Sequence, residues 1–358
     1  MNKGQIDRRL SLPTGTETLH LQEVARHRRI TRRLADLFEA WGYRPVDTPI
    51  VDYYEVYRPL LNDEDVRQTY RAVDRQGEIL MLRSDTTMFL AKQLGLHLTP
   101  EELPMRGYYD MQIVRAEEIH DISRNEFQQA GVELVGVPGS DGDREILVLA
   151  IESLTALGVS DHVIHIGSHY VINTVLPLVP EDARTSLITA VRHRRFSDHV
   201  VSILPDAIQQ LLRFIGSPGD FAALVDDIDA LLTPETRSAV RYLQATVEGA
   251  LAIGENRNVD RPDGGDIFRI DLSELGSHGY YTGIAFAAYL PAGNTPVLRG
   301  GRYDHLLRAF GIDAPSVGFS MFPRKLPSAT MVEEETPDPD VDARSIPERY
   351  SDGRRRIE

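Results

Sequence analysis

The run Gln129-Ala130-Gly131-Val132-Glu133 places an amide and a carboxylate two residues either side of a glycine. In an extended segment alternate side chains share a face, so Gln129, Gly131 and Glu133 project together. Gly131 leaves a gap between the two polar groups in which a ligand can lie against the backbone. A glutamate acceptor there suits an imidazole or an ammonium. Arg115, within Val114-Arg115-Ala116-Glu117, offers a planar fork of donors that fits a carboxylate or a phosphate. A cross-strand ion pair is the competing role for it. Asp85 and Thr87 in Ser84-Asp85-Thr86-Thr87 carry oxygens that can hold an ammonium, cap a helix, or do both.

Other groupings carry less. His162, His165 and His169 are spaced like metal ligands, but an extended Val163-Ile164-His165-Ile166 segment turns His162 and His165 to opposite faces. Gly300-Gly301 lacks the strand–GxGxxG–helix setting of a dinucleotide site, and there is no P-loop. Neither a metal nor a cofactor is expected. The basic clusters Arg26-His27-Arg28-Arg29 and Arg192-His193-Arg194-Arg195 fit solvated helix faces or phosphate contacts. With 39 basic and 54 acidic residues the chain carries a net charge of −15, which argues against a large nucleic-acid footprint. Zero cysteines exclude disulfides, thiolate zinc sites and cysteine nucleophiles together. The first residues, Met1 to Arg9, lack the apolar stretch of a secretory signal, and no window is apolar enough for a membrane span. A cytoplasmic chain is the expectation.

The elements that must position these groups follow from periodicity. Ile30, Leu34, Leu37, Phe38 and Trp41 recur at helical spacing and Gly42 ends the run. Arg44 to Val51, with two prolines, reads as extended. Glu78 to Arg83 reads as a strand, followed by a helix through Met88 to Ala91 capped from Ser84-Asp85-Thr86-Thr87. Met105 to Val114 and Phe127 to Val135 read as antiparallel partners joined by a polar loop. Asp143 is placed to cap a helix over Arg144 to Leu157, which Gly158 stops. From Pro177 to Val259 the texture is Leu/Ala-rich and helical, with stripes Ile208-Leu211-Leu212-Ile215 and Leu224-Ile228-Leu231-Leu232. Strand-like sequence returns at Ile267 to Leu272 and Tyr280 to Tyr289. Residues 327–358 hold nine acids, five arginines and four prolines with few large apolar side chains, so disorder is expected there.

Gly300-Gly301-Arg302-Tyr303-Asp304 followed by Ser316-Val317-Gly318-Phe319-Ser320-Met321 resembles the ATP-site end of a class II aminoacyl-tRNA synthetase of the histidyl branch. Val114-Arg115-Ala116-Glu117 resembles the second motif of that class, and the helix and extended segment from Ile30 to Val51 its first. Gln129 to Glu133 and Tyr280-Tyr281-Thr282-Gly283 resemble the two histidine-recognition motifs. The resemblance spans roughly residues 5 to 325. It implies an α+β fold, an antiparallel sheet flanked by helices with a helical insertion. The implied divisions are 5–176 and 260–326 for the core, 177–259 for the insertion and 327–358 for the tail. It also implies a histidine pocket of Asp85, Thr87, Arg115, Gln129, Glu133, Tyr280 and Tyr281, with Tyr280 and Tyr281 as walls.

Two departures bear on chemistry. The family's second histidine motif begins with Arg where this chain has Gly276-Ser277-His278-Gly279. Motif 3 ends in Glu-Arg where this chain has Arg324-Lys325, after Phe322-Pro323. Amino-acid activation develops charge between a carboxylate and an α-phosphate and needs fixed cations there. Synthetase-like chains with altered motifs and no room for an anticodon domain resemble the regulatory subunits of ATP phosphoribosyltransferase. That resemblance implies no aminoacylation and no tRNA. It implies a short-form catalytic subunit as partner, a homodimer within a hetero-oligomer, and free histidine as a feedback effector in histidine biosynthesis. A working histidyl-tRNA synthetase and another synthetase-derived amino-acid-binding paralogue remain as alternatives.

Overall fold

The computed structural model describes residues 12–326 apart from 14, 17, 117–124, 160, 257–265, 277–278 and 292. The tail 327–358, Glu117 and the Ser277-His278 pair lie outside the described residues. Nine strands form one sheet in the order β1 (Arg44–Pro45), β5 (Met105–Val114), β6 (Glu126–Val135), β12 (Ser316–Met321), β11 (Leu298–Arg302), β10 (Ile284–Tyr289), β7 (Val163–Ser168), β9 (Phe268–Asp271) and β8 (Ile215–Gly216). Strands β2 (Val51–Tyr53), β4 (Ile79–Leu82) and β3 (Arg71–Val73) form a second, small sheet. The large sheet is mixed: β1 runs parallel to β5 and β7 parallel to β9, and the other neighbours are antiparallel.

Register separates the two faces of this sheet by chemistry. Val132, Phe319, Gly300, Phe286 and Ile166 stand opposite one another across five strands. With Leu134, Val317, Leu298, Ile164, Phe268 and Ile270 they form the main apolar core. Helix Leu21–Ala40 contributes Ile30, Leu34 and Phe38 to it, and helix Gly139–Ala156 contributes Ile146 to Ile151 and Leu154. The other face carries Glu133, Gly318, Gly301, Ala285 and Gly167 in one row and Gly131, Ser320, Arg299, Ala287 and His165 in the next. Small residues dominate it, so the middle of the sheet is left as a trough.

Arg302 falls on the apolar side, opposite Val317, and is fully buried. Its Nε donates to Asp143 Oδ1 at 2.7 Å and its Nη1 to Asp304 Oδ1 at 3.0 Å, with carbonyls of Val137 and Gly139 taking the remaining donors. Asp143 is therefore not a helix cap. Its helix begins at Gly139, a turn earlier, and Asp143 is buried one turn in, where it also accepts from Tyr242.

The helical stretch between β7 and β9 packs its buried side chains, among them Leu187, Val191, Leu211, Phe221 and Leu243, into the same core. It also supplies β8 to the sheet edge. Ile215, expected on a helical stripe, sits in that strand, and Leu231 is 70% exposed where an amphipathic stripe would bury it. No helix among the described residues is long and apolar enough to cross a membrane.

Candidate functional site

All seven residues expected to form a pocket line one cavity over the trough, with about 420 Å³ of empty space including its mouth. Arg299, Tyr303, Gly318, Phe319, Ser320 and Phe322 complete its wall.

Glu133 forms the floor. Its Oε1 accepts from Thr87 Oγ1 at 2.7 Å and from the Tyr109 hydroxyl at 3.3 Å, and its Oε2 accepts a short hydrogen bond from the Tyr303 hydroxyl. Three donors aimed at one buried carboxylate favour its charged form, but burial and the neighbouring Asp85 charge outweigh them. The Glu133 pKa is pushed up to about 8. Burial also raises the phenols of Tyr109, Tyr280 and Tyr303 well above their ordinary value, so all three are neutral donors.

Asp85 serves two purposes, as its sequence position allows. Its Oδ1 accepts from the backbone N–H of Met88 at 2.9 Å, capping helix Thr86–His97, while Oδ2 meets Arg115 Nη2 at 3.4 Å. Arg115 donates from Nε to the Ser84 carbonyl at 2.6 Å, so the arginine braces the turn that carries Asp85. Gln129 Oε1 accepts from the Thr86 N–H at 3.3 Å. Tyr280 and Tyr281 stand in a coil preceding β10, which starts at Ile284 and not at Tyr280. Their rings lie 5.0 Å apart, and Tyr280 meets Tyr303 edge-on at 5.8 Å.

Glycines set the close approaches. A Cβ at Gly318 would collide with Glu133 Oε2 and the Val132 carbonyl, because Gly318 is the register partner of Glu133. At Gly131 a Cβ would stand 2.7 Å from the Tyr109 hydroxyl. The gap beside Gly131, expected to take a ligand, is instead filled by the Tyr109 phenol on its way to Glu133 and by the Phe319 carbonyl.

Sequence reasoning missed Tyr109, Tyr303 and Arg299. Tyr303 sits inside the quoted Gly300-to-Asp304 motif, and that was the available signal for it. Tyr109 and Arg299 reach the site only through cross-strand register, Tyr109 opposite Gly131 and Arg299 opposite Ser320. The three histidines engage separate partners. His162 contacts the Val159 carbonyl, His165 contacts Asp271, and His169 contacts the Leu275 carbonyl beside Tyr281. At the rim, Gly276 adopts φ +68°, and a Cβ there would strike the Tyr281 ring. The Lys325 ammonium lies 4.8 Å from the Phe322 ring centre and 5.9 Å from that of Phe127.

This arrangement can hold a small molecule with a positive or hydrogen-donating end at Glu133 and Asp85. A family model described as histidyl-tRNA synthetase matches residues 15–326. The chain belongs to the histidyl-tRNA synthetase family. Within it, a protein of Moorella thermoacetica named ATP phosphoribosyltransferase regulatory subunit is 32% identical, the match covering 87% of this chain and 80% of that one. A solved Bacillus halodurans structure, titled ATP phosphoribosyltransferase regulatory subunit/histidyl-tRNA synthetase, superposes with TM-score 0.76 at 25% identity, covering 88% of this chain and 82% of the other. Histidyl-tRNA synthetase from Nostoc shares the fold, with TM-score 0.70 at 22% identity over 87% of this chain and 72% of that one. The chain is thus a class II synthetase-like member of the regulatory-subunit group.

Proposed function

We propose that this family member is a non-catalytic regulatory subunit of ATP phosphoribosyltransferase. Free histidine binds in the cavity over β6, β12 and β11, and the partner is a short-form catalytic subunit. The observation that carries the reading is the Glu133 floor: a buried carboxylate already oriented by Thr87, Tyr109 and Tyr303, with Asp85 beside it. An imidazole at Glu133 and an α-ammonium at Asp85 and Thr87 would satisfy both acids. The relatives' names support the enzyme, ATP phosphoribosyltransferase, and the place assigned to it in this reading is the first step of histidine biosynthesis.

The rim supports reading the adenylate chemistry as lost. The left-handed backbone at Gly276, packed on Tyr281, has no room for the cationic side chain that the synthetases place there. Lys325 covers Phe322 and Phe127 with an ammonium, a poor substitute for a stacking guanidinium. With binding retained and activation lost, the cavity acts by linkage. Histidine that favours one arrangement of the complex shifts the population towards it, and the catalytic partner changes histidine affinity by the same factor.

Co-purification tests partner and role together. The tagged chain is expected to bring down a short-form phosphoribosyltransferase whose activity requires it and falls with added histidine. Robust histidine-dependent ATP–pyrophosphate exchange by the purified chain would instead establish a working synthetase.

A further inference from the structure

Among the described residues, Arg299 is the charged side chain of the cavity wall that no hydrogen bond or ion pair engages. It is partly buried on β11, between Ser320 and Ala287 in the two neighbouring strands, and its side chain faces the trough. Among the described residues its guanidinium makes no hydrogen bond or ion pair. The acids lining the adjoining cleft are engaged elsewhere, Glu64 by the Gln68 amide. Asp271 accepts from Arg194, Ser273 and His165, and Glu274 accepts from Tyr289 and the Gly276 N–H. A guanidinium out of full solvent contact and without a partner is unfavourable unless something else supplies the anion. Its field reaches the rings on either side, drawing the Tyr281 and Tyr289 phenols down against the effect of burial.

We infer that Arg299 is the receptor for the carboxylate of an α-amino-acid ligand, and hence the residue that selects an amino acid over the corresponding amine. This rests on the reading of the cavity as a histidine site and assigns its unassigned end. Asp85 and Glu133 meet the cationic and imidazole ends of such a ligand. Arg115 is engaged by the Ser84 carbonyl and Asp85. Arg299 lies two strands from Glu133, across β12, and two residues along β11 from Gly301, which shares the Glu133 row; the Cα separation is roughly 12 Å at ~4.8 Å per strand spacing and ~3.4 Å per residue. The two side chains reduce that span to the length of one amino acid. Ser320 and Gly318 between them leave the path clear, and Gly276 opens the cleft on the far side of Tyr281.

The test is calorimetric titration of the full-length chain with histidine and with histamine, its decarboxylated amine, in wild type, Arg299→Gln, Arg299→Lys and Glu133→Gln. Wild type is expected to prefer histidine. Arg299→Gln should weaken histidine about ten- to a hundred-fold, as loss of a charge-assisted bond does, and leave histamine within two-fold. Arg299→Lys should fall between, and Glu133→Gln should weaken both ligands alike. Equal losses of histidine and histamine in Arg299→Gln would overturn the carboxylate assignment while leaving the cavity reading intact. Wild-type protein that binds neither ligand, alone or with the catalytic partner, would overturn both.

Discussion

The raised pKa of Glu133 makes the pH dependence of histidine binding a direct test of what that carboxylate holds. With a pKa of about 8, Glu133 is about nine-tenths protonated at pH 7 in the empty protein. Free imidazole, with a pKa near 6.5, is then about three-quarters neutral. If the ring docks against Glu133, the complex keeps one proton between carboxylate and imidazole, whichever atom carries it. Neutral ring plus protonated glutamate already hold that proton, so affinity should plateau between about pH 6.5 and 8. Below the plateau both partners are protonated and one proton must leave, so affinity should fall towards ten-fold per pH unit, reaching about eight-fold below the plateau by pH 5.5. At pH 7 the ring releases about 0.24 proton on average and ionised glutamate takes up about 0.09, a net release of about 0.15. Titration in two buffers of different ionisation enthalpy measures this number. A complex in which Glu133 is ionised beside an uncharged ring would release about 1.15, with affinity rising to pH 8. A release near one proton would therefore refute the shared proton, and Glu133→Gln should erase any upper edge of the plateau.

Two further perturbations probe what holds the site. Gly318→Ala forces a methyl into Glu133 Oε2, so thermal unfolding should show a loss of about 1–3 kcal/mol and histidine titration a loss of binding. Arg302→Met leaves Asp143 buried without its cation and should cost about 3–5 kcal/mol in denaturant unfolding, whereas the Arg302→Met/Asp143→Asn double variant should recover part of it. A neutral Arg302→Met would mean that Asp143 gains its proton at little cost.

Local signals in the sequence gave the strands that build the floor of the site. Met105–Val114 is bounded by Pro104 and a polar loop, and its alternation matches its observed limits. Helix Thr86–His97 begins at the Asp85 cap that its side-chain chemistry indicates. The seven expected site residues were legible only through their motif resemblance, and periodicity alone leaves Gln129 and Glu133 as an exposed polar face. What stayed illegible depends on partners remote in sequence. Asp143 precedes an apolar periodic run and reads as a cap, yet its carboxylate is matched by Arg302, 159 residues away. Tyr109 reads as an ordinary strand aromatic until register puts it over Gly131. Ile215 fits a helical stripe until β9 offers it a strand to pair with.

The two faces of the large sheet explain how a binding site can persist while the groups around its rim differ from a synthetase's. The apolar face fixes register through Val132, Phe319, Phe286 and Ile166, and a one-residue slip would turn that whole set to solvent. Register in turn places Glu133 beside Gly318 and Gly131 beneath Tyr109, so the acid and its donors are positioned by the core and not by a ligand. Glu133, Tyr303, Tyr109 and Thr87 already hydrogen-bond one another, and the orientation of the acid is complete before anything binds. Preorganisation of this kind lowers the ordering cost of association. Gly276 and Lys325 belong to the coil and the short turn at the cavity edge, outside that register. Changes there can remove nucleotide chemistry and leave the floor in place. Arg299 is the exception among the wall residues, since it sits within the register but makes no hydrogen bond or ion pair among the described residues. The affinity that distinguishes an amino acid from an amine should therefore depend on it far more than on any residue of the rim.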